Sequence, residues 1–77
     1  MEKIIIKGIR DGLFIQIPEG IWNEVQTELL QTIDNQLDFF QGARLTLQLG
    51  MHELGPVELG ELRNALFERD VTLWSID

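Results

Sequence analysis

The chain has no cysteine, one histidine, one serine and no apolar run that approaches the length of a membrane span. Without cysteine there can be no disulfide, no thiolate metal site and no thiol nucleophile, which fits a reducing compartment, and the chain is read as cytoplasmic. Met1-Glu2-Lys3 leads into Ile4-Ile5-Ile6, and Lys7 ends that run before it reaches the length of a signal peptide's apolar region. No segment suits direct membrane insertion. His52, the single histidine, adjoins Glu53. A zinc site needs three or four ligands, so the pair reads as a solvated loop and no metal is expected. Ser75 falls in or beside the last strand, without a nucleophile elbow around it. The seven glycines match no phosphate-loop or dinucleotide spacing. Acidic residues fall mostly on helix faces and at helix starts, where solvation and the helix dipole account for them. The chain is therefore read as not an enzyme, with no cofactor.

Basic charge is also scarce. Six Lys and Arg stand against thirteen Asp and Glu, a net charge of −7, and the basic residues are scattered along the sequence. Such a molecule repels phosphate backbones, so nucleic acid is not an expected partner. What is present suits a folded domain: 44% of residues are apolar and 25% charged. Seventy-seven residues form a single domain, 1–77, near the lower size limit for folding without disulfides or metal. The corresponding stability is roughly 4–12 kcal/mol.

Glu2 to Ile9 is rich in isoleucine and Leu13 to Ile17 reads Leu-Phe-Ile-Gln-Ile, so two strands are expected, joined at Arg10-Asp11-Gly12 as an antiparallel hairpin. Pro18 and Gly20 end the second strand. Trp22, Val25, Leu29, Ile33 and Leu37 recur at helical spacing and predict an amphipathic helix over residues 21–37, followed by a connection through Phe39 to Ala43. Arg44 to Leu49 alternates polar and apolar residues and predicts a strand buried on one side only. Pro56 opens a second helix, with Glu58 in its first turn and Leu59, Leu62, Ala65 and Leu66 along one face to about Arg69. Val71 to Ile76 closes the chain as a strand. The fold class is α/β: a two-layer sandwich in the order ββαβαβ, a four-stranded mixed sheet with two helices on one face.

The other face of the sheet is then left open. Alternation puts Ile5 there with Lys3 and Lys7, Phe14 with Gln16, Thr46 with Gln48, and Trp74 near the last edge, so Ile5, Phe14 and Trp74 are expected to form an apolar patch for a partner. In the last strand Thr72, Trp74 and Ile76 could equally be the buried set, because a one-residue slip reverses the faces.

The segments Ile6-Lys7-Gly8, Asp11-Gly12-Leu13, Phe39-Phe40-Gln41-Gly42-Ala43, Leu47-Gln48-Leu49-Gly50 and Glu58-Leu59-Gly60-Glu61-Leu62 together resemble the amino-terminal domain of the MinC family, over essentially the whole chain. The resemblance implies division-site placement through inhibition of FtsZ, the bacterial tubulin-like division protein. It implies that MinD binding belongs to a separate carboxyl-terminal domain with no counterpart here. It also carries the strand-one Lys-Gly associated with FtsZ antagonism onto Lys7 and Gly8, and the phenylalanine before the third strand onto Phe39. With Ile5 and Phe14 of the open face, these are the partner-binding candidates. Gly8 can instead relax a strand end, Lys7 be a solvated charge and Phe39 cap the core. Two further readings stand beside FtsZ inhibition: a module like the anti-sigma-factor antagonists, although no Ser or Thr occurs from Gly50 to Val57, and a homodimer paired through a sheet edge.

Overall fold

The computed structural model describes residues 3–77. Strands β1 (Ile5–Ile9) and β2 (Gly12–Gln16) pair antiparallel with Ile9 opposite Gly12, so Arg10 and Asp11 alone make the turn. Glu2, assigned to the first strand by sequence, lies outside the described residues. Gly12 was expected within the turn, but it is the first residue of β2. Its φ is +151°, and a Cβ there would run into the carbonyl oxygen of Arg44 on the neighbouring strand. Glycine is needed at this position both for its φ and for the close approach of the two backbones.

Helix α1 (Trp22–Asp34) buries Val25, Leu29 and Ile33, the predicted stripe, with Trp22 half-buried at its start. The prediction runs the helix to Leu37, but the structure stops it at Asp34. The Gln36 N–H bonds Ile33 O, three residues back, and Gln36 leaves the helical region at φ −138° and ψ 46°. A separate turn of helix, α2 (Leu37–Phe40), follows where a plain connection was expected. The break changes which side chain meets the core. A continuous helix would carry the stripe onto Leu37, whereas after the break Leu37 is exposed and Phe40 is fully buried.

Strand β3 (Arg44–Gln48) leads to helix α3 (Pro56–Phe67), and strand β4 (Thr72–Ile76) ends the chain. At the start of α3, Pro56 occupies the first helical position and the Glu58 carboxylate accepts the Gly55 N–H at 2.5 Å. The strand order is β1-β2-β3-β4, with β2/β3 and β3/β4 parallel. The predicted four-stranded mixed sheet is thus present, with three helical segments in place of two. Leu13, Ile15, Leu45 and Leu47 from the strands form one core cluster with Val25, Leu29, Ile33, Phe40, Leu62 and Leu66 from the helices. Each such side chain contributes about 1.5–3 kcal/mol by leaving water. All the helices therefore cover one face, as the one-sided alternation of β3 requires.

Two side-chain links tie neighbouring elements at their ends. Arg69, after α3, donates to Asp34 at the end of α1 at 2.7 Å and to the Ala65 carbonyl at 2.7 Å. The hydrogen bond to Asp34 raises the Arg69 pKa above the ordinary arginine range. A raised basic pKa gives stability that is complete below the ordinary arginine range and lost only above it, so this group makes stability no more pH-dependent near neutrality. Because Asp34 is nearly half exposed, Arg69→Met is expected to cost no more than about 1 kcal/mol, read as a small shift of the urea midpoint.

His52 is the second link and corrects the expectation of a solvated loop residue. It is half-buried, its Nε2 lies 2.7 Å from the Pro18 carbonyl oxygen, and its ring meets Trp22 edge-on at 5.4 Å. It joins the loop after β3 to the loop after β2. His52→Ala is expected to lose about 0.5–1.5 kcal/mol and to alter the fluorescence of Trp22, whereas Glu53→Ala, at an exposed neighbour, should change neither.

Candidate interaction face

The strand pairing turns the alternation into a surface map. On the side away from the helices, Ile5 lies opposite Gln16, Lys7 opposite Phe14, and Phe14 beside Thr46. Ile5 and Ile9, each about half exposed, are diagonal neighbours of Phe14, which places a small apolar cluster around Lys7. Beyond it the face is polar and internally bonded. The Gln16 amide donates to Gln48 at 2.9 Å, and the Thr46 and Ser75 hydroxyls are 3.0 Å apart.

Trp74 also lies on this face, but not beside Phe14. The β3/β4 register shifts between Leu45 and Thr46, so Leu45 faces Leu73 while Thr46 faces Ser75, and Trp74 is the extra residue of a bulge. Leu73 packs on the core while Trp74 is 59% exposed, which decides the ambiguous strand. The Arg44 guanidinium sits 4.5 Å from the Trp74 ring centroid. The Arg44–Trp74 stack and the Thr46–Ser75 pair therefore separate Trp74 from Phe14. The expected single apolar patch is two apolar points with polar groups between them.

The remaining candidates occupy different surfaces. Gly8, in β1 opposite Leu13, points to the helix side, but a Cβ there would meet nothing within 4 Å, so neither backbone conformation nor packing calls for glycine. Phe39 belongs to the helix layer, 57% exposed, with its ring edge-on to buried Phe40 at 5.1 Å. Hence Ile5, Lys7 and Phe14 are gathered on one face, Gly8 borders it, and Phe39 does not share it. Arg44 was absent from the sequence-based reading of this face, and the bonding of Gln16 to Gln48 was not foreseen. The signal for Arg44 was available, since it begins the alternating strand in phase with Thr46 and Gln48. Among the described residues, no group of three or more His, Asp or Glu side chains is placed to hold a metal ion, and no helix is long and apolar enough to cross a membrane.

Comparison with known families gives a match over residues 4–73 to the family described as "Septum formation inhibitor MinC, N-terminal domain". The chain belongs to that family. Two curated relatives, each named "Probable septum site-determining protein MinC", come from Thermoanaerobacter sp. and Thermoanaerobacter pseudethanolicus. Each is 33% identical over 69 residues, covering 88% of this chain and 32% of the relative. The chain thus spans about a third of the length of those MinC proteins. No solved structure matches significantly. The family match extends from Ile4, just before the hairpin that carries Lys7 and Gly8, to Leu73 beside the bulge, so it includes the open-face residues of β1, β2 and β3 but not Lys3, Trp74 or Ser75.

Proposed function

We propose that this domain restrains bacterial septum formation in the cytoplasm by binding FtsZ and opposing its assembly, without covalent chemistry or a cofactor. Membership of the MinC amino-terminal family over residues 4–73 is the observation that carries the reading. The exposed β1 residues Lys7 and Gly8, beside an uncovered sheet face, support it by offering a surface that a partner can reach. Recruitment by MinD belongs, on this reading, to a different part of a MinC protein.

A sedimentation assay tests the target. With the domain in several-fold excess over FtsZ, the pelleted fraction is expected to fall. Pelleting that stays at its control value would end the FtsZ reading.

A further inference from the structure

Folding sorts the charges carried by the strands and helices onto opposite sides. None of the residues of β1, β2, β3 or β4 is acidic, and their only ionisable side chains are Lys7 and Arg44. Helices α1, α2 and α3 carry Glu24, Glu28, Asp34, Asp38, Glu58 and Glu61 against the single base Arg63. Lys3 lines a recess of the open face with Ile5, Gln16 and Gln48. Lys3, Lys7 and Arg44 therefore stand together on the uncovered side, and among the described residues none of them is in an ion pair. Scattered in the sequence, they are gathered by strand pairing.

From the registers, Lys7 and Arg44 are two strands apart, roughly 10 Å in the hydrogen-bonding direction. Lys3 and Lys7 are four residues apart, at most about 13 Å. These spacings exceed the screening length of about 8 Å at physiological salt, so the three charges act as separate anchors on one side of the molecule while the helix side is negative. Between them lie apolar and hydrogen-bonding groups in fixed positions: Phe14, the Gln16–Gln48 pair and the Arg44–Trp74 stack.

We propose that the open sheet face is a docking surface for an acidic protein segment that also carries apolar side chains, with Lys7 and Arg44 as its charge anchors. This rests on the FtsZ reading only for the identity of the partner, since the charge segregation stands without it. Three cations on a molecule of net charge −7 suit a short acidic segment better than a polyanion, whose long phosphate backbone would also meet the repulsive remainder. Anionic membranes are recognised by denser basic clusters, of about four to eight residues. Trp74 and Phe14 give an acidic segment apolar contacts that charge alone would not require.

The experiment uses the 77-residue protein in two arms. In the first, binding to FtsZ is measured for the wild type, for Lys7→Glu with Arg44→Glu, and for Glu24→Lys with Glu28→Lys on the helix side, with circular dichroism to verify folding and Arg44→Gln as a milder variant. The sheet-side reversal is expected to weaken binding at least about tenfold and to abolish its salt dependence, while the helix-side reversal leaves both. Binding that survives the sheet-side reversal and is lost with the helix-side one overturns the proposal. If the wild type does not bind FtsZ, the target is wrong but the surface is still decided by the second arm. There, amide shifts of labelled protein are followed with polyglutamate, a single-stranded oligonucleotide and phosphatidylglycerol vesicles at equal salt. Shifts with polyglutamate confined to the sheet face support the proposal. No shifts, or stronger ones with the oligonucleotide or vesicles, overturn it. So does a concentration-dependent rise in mass that Lys7→Glu removes, which would give the face to the acidic helices of another copy.

Discussion

Phe40→Ala is expected to cost about 3–5 kcal/mol, whereas Phe39→Ala, one residue earlier, should cost less than about 1 kcal/mol. Phe40 is fully buried in the cluster that joins both layers, and Phe39 is 57% exposed. Truncating Phe40 removes most of an aromatic side chain and leaves a cavity ringed by Leu, Ile and Val, which a small rigid core fills only partly. Against a total of roughly 4–12 kcal/mol, that loss removes at least about a quarter of the stability. Urea titration followed by far-ultraviolet circular dichroism checks both variants. Equal midpoints for the two would show that the break between α1 and α2 does not set which phenylalanine is buried. The comparison also bears on function, because a well-folded Phe39→Ala protein can report on FtsZ without the confusion of unfolding.

Much of this was legible in the sequence, and the reasons are specific. The alternation of Arg44 to Gln48 is strict, so one reading of β3 gave the buried leucines, the open face and the number of layers together. Isoleucine-rich β1 and the helical spacing of Val25, Leu29 and Ile33 were as direct. The end of α1 was not, because Leu37 continues the 3.6-residue period in the sequence while the backbone at Gln36 departs from it. Periodicity cannot register such a reset, since Leu37 and Phe40 are both apolar and either could complete the stripe. The bulge at Trp74 was hidden for a similar reason. A strand of mixed apolar and polar residues fits either phase, and only pairing with β3 fixes which side chain is extra.

The candidate surface was legible residue by residue but not as a whole. Lys3, Lys7 and Arg44 are separated by up to 41 positions in the sequence, and alternation puts each on one side of its own strand without saying which strands are neighbours. Their assembly follows from β1 pairing with β2 and β2 with β3, a tertiary fact. His52 was misread for the converse reason. Its neighbours in the sequence are loop residues, whereas its partners, Pro18 and Trp22, come from the preceding crossover.

Gly12→Ala is expected to destabilise the protein by about 2–4 kcal/mol, and Gly8→Asp by no more than about 1 kcal/mol. The two glycines lie four residues apart in one hairpin, and the sequence does not show that only Gly12 meets a neighbouring backbone. At Gly12 the backbone holds φ +151° and an added methyl group would overlap the Arg44 carbonyl, so either β2 or β3 must shift, and with it the Leu13–Leu45 contact in the core. At Gly8 the φ is ordinary for a strand and an added side chain enters open space at the sheet edge. Thermal unfolding of the two variants measures the contrast directly, and a Gly8→Asp protein as unstable as Gly12→Ala would contradict the geometry of the β1 edge. If the contrast holds, Gly8→Asp becomes the sharper functional probe. It adds a negative charge on the helix side of the β1 edge, next in the chain to Lys7, while leaving the fold in place, so under the proposed function its effect on FtsZ pelleting should be lost at a concentration where the protein is still fully folded. An intact effect would remove the β1 edge from the interface and leave Arg44 and Trp74, on the other side of the same face, as the contacts to examine.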